Sequence, residues 1–458
     1  MNVTFEKTDD LNATISVEIK NEDYQESLNK QFKDYRKKAK IPGFRQGSVP
    51  LGMVKQMIGK SVLFEEVNRL TSKELYNYLQ NEKIDILGQP ITSTKKKSVT
   101  DFDQYGDFTF HFDIGLAPVF DLKIATKDKA TRYEIELDEK EVETEINNLR
   151  RQNGKLENID KVETENDSIV MLMTELDSKG KPKEEGVSEQ EVTVLPEVIK
   201  SKKVKKQLLN LSVGDDFEIN AFDLFNNNEM VIAQSLGIEK EAVNSLGKKF
   251  KASAKEVRRV VPAELNQEFF DLVMGPGAVS SEDDFTQKIE ENLGSYYVAE
   301  AEKQLDAEIN TILEKNHPLT LPDSFLKRWL QETKPETYTN DKVDELYESE
   351  SKVLRKQLIR EKIAEEKSVE VTDEDINQTS FAYTAQMLRQ YGLNNPDPSM
   401  VQNFEAKNRE DKNYLLRIRD VVVEKKVIDK VKEMITIKQK KISVDKFYEE
   451  IKKFNNKK

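Results

Sequence analysis

The chain has 458 residues, of which 34% are charged and 37% hydrophobic, and a formal net charge of −13. It is too long for one core and points to roughly two to four domains. Zero cysteines exclude disulfides and thiolate ligation, and the two histidines, His111 and His317, are far apart and lack metal-ligand spacing. The start, MNVTFEKTDD, has no basic n-region and no apolar h-region, and no apolar run approaches the roughly 20 residues of a membrane span. A cytoplasmic, highly charged, helix-rich protein with no metal, cofactor or membrane partner is expected.

Val3 and Phe5 alternate with polar residues, and Leu11, Ala13, Ile15, Val17 and Ile19 do so more clearly; with a turn at residues 7–10 they predict a β-hairpin. A helix follows, with Tyr24, Leu28, Phe32, Tyr35 and Ala39 on one stripe and lysines elsewhere. Between Lys30 and Lys60 nine basic residues stand against one acid, Asp34, in a chain that is otherwise anionic. Such a local cationic patch is the footprint of a polyanion partner such as nucleic acid. Within it lies Ile41–Pro50, IPGFRQGSVP. Pro42 and Gly43 break the helix, Gly47 and Pro50 close the loop, and Phe44 and Arg45 are left at the tip. An aromatic beside an arginine suits docking: the ring fills a pocket and the guanidinium meets phosphate or carboxylate. A tight interhelical turn with Phe44 tucked into its own core is the other reading of these residues.

The run GFRQGSVP resembles the signature of the bacterial trigger factor family: GFR, any residue, Gly, usually Lys, any residue, Pro. Gly43, Phe44, Arg45, Gly47 and Pro50 match, and Ser48 stands where the family usually has lysine. The resemblance extends over nearly the whole chain. It implies that residues 1–115 are a ribosome-binding domain, docking through Gly43, Phe44, Arg45, Gln46 and Gly47 with Arg36, Lys37, Lys38 and Lys40 beside them.

Leu51–Ile58 and Ser61–Asn81 read as two helices, with Val67, Leu70, Leu75, Tyr78 and Leu79 as core candidates; Gly88–Pro90 reads as the break that ends them. Phe108, Phe110, Phe112 and Ile114 alternate as a strand, which sets His111 out of phase and toward solvent. Residues 1–115 are therefore expected to be α+β. Ala117–Asp121 is an extended linker. Asp138 and Glu141 have capping-box spacing ahead of a helix with Val142, Ile146 and Leu149; this stretch resembles the family's linker helix, so residues 116–160 are expected to be a linker and a helix packing on the C-terminal body.

Residues 161–260 change character. Strands are expected at Ile169–Met173, Val192–Leu195 and Lys251–Val261, and a turn then a strand at Val213–Ile219, a small β-rich domain that resembles the family's isomerase domain of the FK506-binding-protein type. That fold's catalytic pocket needs an aromatic-walled cleft, yet this stretch holds Phe217, Phe222, Phe225 and Phe250 with no Tyr or Trp, and Asn226–Asn228 falls where an aromatic-bearing loop is expected. A retained fold with a lost active site is expected, so no catalytic residue is assigned; whether isomerase activity survives stays open.

Residues 261–458 read as all-α. Ser281 caps a helix carrying Phe285, Ile289, Leu293, Tyr297, Leu305, Ile309 and Leu313. Pro318 and Pro322 punctuate, and Trp329 sits with Phe325 and Leu326 as helix core. Helices follow at about Lys342–Lys367, from a capping box at Thr372 and Asp375, and at Lys412–Met434, with a turn at Asn394–Pro398; the basic end is expected to fray. The resemblance implies a two-armed chaperone body without nucleotide chemistry. Its partners would be the large ribosomal subunit near the exit tunnel, through ribosomal protein and rRNA, and nascent or unfolded polypeptides; a homodimer off the ribosome is left open. Two alternatives remain: an active peptidyl-prolyl isomerase, or an RNA-binding factor without chaperone action.

Overall fold

The computed structural model describes every residue except Gly43, Thr100, Asn394, Asn395, Lys457 and Lys458. In chain order the N-terminal elements are β1 (Asn2–Lys7), β2 (Asn12–Ile19), α1 (Asn21–Lys38), α2 (Leu51–Asn81), β3 (Ile86–Thr92) and β4 (Phe108–Leu116). Next come β5 (Lys129–Glu136), α3 (Glu139–Gln152), β6 (Lys155–Ile159), β7 (Ser168–Glu175), β8 (Gln190–Val194), α4 (Lys202–Leu208), β9 (Asp216–Asn220), α5 (Ala221–Leu224), α6 (Glu229–Leu236) and β10 (Lys249–Val261). The rest is helical but for one strand: α7 (Gln267–Met274), α8 (Glu282–Asn316), α9 (Asp323–Thr333), α10 (Val343–Glu366), α11 (Asp373–Gln390), α12 (Pro398–Asn408), α13 (Lys412–Met434), β11 (Thr436–Ser443) and α14 (Val444–Asn455). The chain divides into two compact units, residues 1–132 with 303–439, and residues 133–302 with 440–458.

In the first unit an antiparallel sheet of order β1-β2-β4-β3 carries the alternation seen in the sequence. Ala13, Ile15, Val17 and Ile19 are buried on β2, and Ile15 faces Phe112 and Val17 faces Phe110 across the ladder. Tyr24, Leu28 and Phe32 of α1 and Val54, Leu63, Val67 and Leu70 of α2 close this core. The two helices expected over 51–81 are one. Gly59 costs about 1 kcal/mol in a helix interior, less than the packing on either side returns. It also sits where a Cβ would come within 3.1 Å of the Tyr105 hydroxyl. Gly88–Pro90 is not the end of the helix but part of β3. His111 does not face solvent freely: it is half-buried, its Nδ1 is 2.7 Å from the Ser16 hydroxyl, and burial pushes its pKa down.

The strands β3 and β4 also seat α9. A Cβ at Gly115 would lie 2.6 Å from the Phe325 ring, and one at Gly88 2.9 Å from Trp329, so both glycines permit a close approach that no larger residue allows. Arg328 of α9 pairs with Asp113 of β4 at 2.9 Å. Leu87, Ile91, Leu321, Phe325, Leu326, Leu330, Tyr338 and Tyr347 form the core at this contact, with Trp329 half-buried against it. A third core joins Leu305, Ile309 and Leu313 of α8 to Ile359 and Ile363 of α10 and to Val427, Ile428 and Val431 of α13, and the linker lays Phe120, Leu122 and Ile124 on it. His317 anchors that linker: its Nε2 accepts the Lys123 N–H at 2.7 Å while Nδ1 faces the Leu313 carbonyl at 2.7 Å. The capping box of Thr372 and Asp375 opens α11 as its spacing implies. Of the turn expected at Asn394–Pro398, the first two residues lie outside the described set and Pro398 is already the first residue of α12.

In the second unit the antiparallel strands run β6-β10-β7-β8, and β9 pairs with β10. The long β10 serves both ends: Lys249–Ser253 meet β9, and Val257–Val261 meet β6. Ile169, Met171, Met173, Leu208, Phe225, Ile232, Phe250 and Ala252 are among its core residues. The capping box of Asp138 and Glu141 starts α3, whose Val142, Ile146 and Leu149 pack with Phe269, Phe270 and Phe285. The Ser281 hydroxyl accepts the Asp284 N–H at 3.1 Å and caps α8. Among the described residues, the stretch expected to fray is strand and helix as far as Asn455. β11 pairs with β5, and α14 follows with Phe447 fully buried, its ring 5.5 Å from Tyr133.

Candidate functional site

The loop between α1 and α2 is a braced structure. α1 ends in Arg36, Lys37 and Lys38, a placement the helix dipole favours, and the Ala39 N–H closes the last turn on the Tyr35 carbonyl. Two short turns follow: Phe44 N–H to Ile41 carbonyl at 3.1 Å and Ser48 N–H to Arg45 carbonyl at 2.9 Å. Gly47 has φ +82°, a left-handed conformation that a side chain would strain. Val49 is buried and pins the far end of the loop to the core, and Pro50 caps α2.

Two of the expected docking residues, both exposed, also bond within the loop. Arg36 Nε donates to the Gly47 carbonyl at 3.0 Å, and Gln46 Nε2 donates to the Lys37 carbonyl at 3.3 Å. These bonds tie the loop to the last turn of α1. Lys37 makes only a loose 3.4 Å contact with Asp34. Arg45, Lys38 and Lys40 are exposed, and among the described residues no side-chain hydrogen bond or ion pair engages them. Phe44 is 39% exposed, so it is not tucked into its own core. Gly43 lies outside the described residues.

The sequence reading missed two parts of this surface. Val49 was not singled out, though a lone aliphatic between loop glycine and helix-start proline is a usable anchor signal. On α2, Met53, Met57 and Phe64 are exposed and follow the loop along one helical stripe. The spacing of Met53 and Met57, four residues apart and out of phase with buried Val54, was the available clue. The assembled surface is an apolar ring and adaptable methionines beside unpaired cations on a fixed loop. Among the described residues it brings together no pair of groups arranged for proton transfer or nucleophilic attack.

Three family models match consecutive stretches of the chain: "Bacterial trigger factor protein (TF)" over residues 1–149, "Probable trigger factor, FKBP-like domain" over 156–262, and "Probable trigger factor, C-terminal domain" over 302–451. Among curated proteins, the trigger factor of Chlorobaculum parvum is 25% identical over 443 residues, covering 93% of this chain and 95% of its own length. That of Prosthecochloris aestuarii is 23% identical over 459 residues, covering 97% and 99%. That of Brucella anthropi is 23% identical over 480 residues, covering 97% and 91%. A solved structure concerned with promiscuous substrate recognition in the folding and assembly activities of the trigger factor chaperone aligns over 94% of this chain and 99% of its own, with 17% identity and a TM-score of 0.43. With three successive stretches matched to one family and relatives of that name aligned along nearly their full length, this chain belongs to the trigger factor family.

Proposed function

We propose that this chain is an ATP-independent, cytoplasmic chaperone that docks on the large ribosomal subunit beside the exit tunnel and shelters emerging, unfolded polypeptide. The observation that carries the docking half is the braced loop, which presents Phe44 and Arg45 outward while Arg36 and Gln46 hold it. Phe44 enters an apolar pocket on ribosomal protein, and Arg45 with Lys37, Lys38 and Lys40 meets rRNA phosphate. The boundaries that fit this division of labour are residues 1–115 for docking, 116–160 for the linker and its helix, 161–260 for the middle domain and 261–458 for the helical body.

The sheltering half is supported by apolar side chains left exposed on rigid helices: Met400, Phe404, Leu416 and Val421, with Tyr391 and Leu393 at the end of α11. A cleft of about 580 Å³ between α11 and α13 adds Ala382, Tyr383, Val421 and Val422 among Gln378, Gln386 and Lys425. Scattered apolar contacts rimmed by polar groups suit many unfolded clients weakly. Holding tests this reading. Without ATP, the intact chain should delay aggregation of a chemically unfolded protein; pelleting with ribosomes but no holding would instead mark an RNA-binding factor.

The placement of the middle domain's phenylalanines supports the reading of a retained fold with a lost active site. Phe225 and Phe250 are buried, Phe217 and Phe222 pack against the same core, and none of the exposed large hydrophobic residues described in 156–262 is aromatic. Asn226 and Asn227 adopt left-handed φ of 57° and 58° and Asn228 caps α6, so the asparagine run builds a turn. Turnover of a proline-containing peptide should therefore stay within a few fold of the uncatalysed rate, whose barrier is about 18–20 kcal/mol; robust catalysis would return the isomerase reading.

A further inference from the structure

Asn153–Gly154 is the one Asn-Gly step in the chain. It lies at the neck of the middle domain, where the chain passes in from α3 to β6 and out from β10 toward α7. The incoming and outgoing segments touch there. Arg150 Nε donates to the Ala263 carbonyl at 2.8 Å, the Ala263 N–H donates to the Arg150 carbonyl at 2.9 Å, and Lys155 pairs with Val261. A Cβ at Gly154 would lie 2.4 Å from the Val261 carbonyl oxygen, a closeness that no side chain allows. Asn153 is exposed and is the C-cap of α3. Its Nδ2 donates to the Leu149 carbonyl at 2.8 Å, and the Gly154 N–H donates to the Arg151 carbonyl at 3.1 Å. A cleft of about 370 Å³, with Asn153, Lys155, Val261 and Glu264 in its wall, opens beside it.

We propose that Asn153 is a site of spontaneous deamidation and that its conversion loosens the neck of the middle domain. The Gly154 nitrogen attacks the side-chain carbonyl carbon of Asn153. The new N–C bond closes a succinimide ring, the bond from that carbon to Nδ2 breaks, and ammonia leaves with the Gly154 proton. Water then opens the ring at either carbonyl to give aspartate or isoaspartate, with no oxidant or reductant. Glycine favours the attack because no side chain shields its nitrogen. Two hydrogen bonds oppose it by holding the amide on Leu149 and the nitrogen on Arg151, so the reaction runs when the last turn of α3 opens. Helix ends are among the segments that open at least cost, and the cleft admits water. The products cannot restore the cap. A carboxylate has no proton to donate to the Leu149 carbonyl, and it sets a negative charge at the negative end of the helix dipole. Isoaspartate also adds a carbon to the backbone beside the Gly154–Val261 contact, which has no room for one.

The test ages the full-length chain in mildly alkaline buffer and maps deamidation by mass spectrometry, with Asn244, which precedes Ser245, as the internal comparison. Asn153 should convert several-fold faster than Asn244 and ahead of every other asparagine. In guanidinium-unfolded chain it should convert roughly ten- to hundredfold faster still, the equivalent of the two bonds that hold it. An Asn153 that stays intact while other asparagines convert overturns the inference. Amide hydrogen exchange then compares wild type, the aged chain, Asn153→Asp and Asn153→Gln. Exchange at the last turn of α3 and along β6 should quicken several-fold in the aged chain and in Asn153→Asp, while β7 and β8 keep their protection. Asn153→Gln keeps a donor amide and should stay near wild type. Wild-type exchange at the neck in both the aged chain and Asn153→Asp overturns the loosening. Equal quickening in Asn153→Gln assigns the effect to any change at this position and also overturns it.

Discussion

Arg36 and Asp167 show how single side chains set the geometry on which larger features depend. Without the Arg36 bond to the Gly47 carbonyl, the loop keeps Phe44 and Arg45 but loses a brace. Arg36→Ala should weaken ribosome binding by about three- to tenfold, the equivalent of one hydrogen bond. If instead it acts as a phosphate contact, the salt dependence of binding will flatten as much as for a Lys38→Ala control. Asp167 is fully buried beneath Arg259, which donates to both carboxylate oxygens at 2.7 and 2.8 Å; the Glu163 and Thr164 N–H groups add two bonds at 2.8 Å. The Arg259 bonds chiefly, against the opposing effect of burial, hold this carboxyl well below the usual carboxylate range. A folded pKa below the unfolded value of about 4 gives stability that is present above that pH and is lost as pH falls toward the folded value. Asp167→Asn should cost on the order of 2–3 kcal/mol at pH 7 and flatten the acid limb of denaturation between about pH 5 and 2. An acid limb as steep as wild type would place the titrating group elsewhere. Neither role was legible beforehand. Gly47 stands in the loop motif, but nothing in the sequence pairs it with Arg36, and Asp167 and Arg259 are 92 residues apart.

At the scale of elements, what was legible follows from local physics. Capping boxes at Asp138 and Thr372 placed two helix starts, and the helix expected at Lys412–Met434 matches α13. β2 and β4 announced themselves by alternation because one face is buried. β6 and β11 did not, because they are almost wholly exposed and have no apolar face to alternate. Their pairing is decided by distant partners, β10 for one and β5 for the other. For the same reason α14 looked like a fraying basic tail, although its Val444 and Phe447 are buried. Phe447→Ala should remove about 3–5 kcal/mol from the docking of that segment. The checking measurement is amide hydrogen exchange, in which β11 and α14 should lose protection well before the β7–β10 sheet. Unaltered protection of α14 would mean that Phe447 is not what holds the chain end.

For the whole molecule, the family was readable because one eight-residue loop carries a motif that composition alone would not single out. The middle domain's fold was readable from its strands. The exposed methionines beside the loop required the structure, since exposure depends on which face the helix buries. The molecule combines an exposed loop on the N-terminal domain, a helical body with exposed apolar residues, and an FKBP-like middle domain. The central claim is that Phe44 and Arg45 together connect this protein to the ribosome. The direct measurement is co-sedimentation of the full-length chain with ribosomes at moderate salt, wild type against Phe44→Ala/Arg45→Glu, with aggregation delay recorded on the same preparations. The double variant should stay in the supernatant while still holding unfolded protein. A double variant that pellets like wild type would contradict that claim.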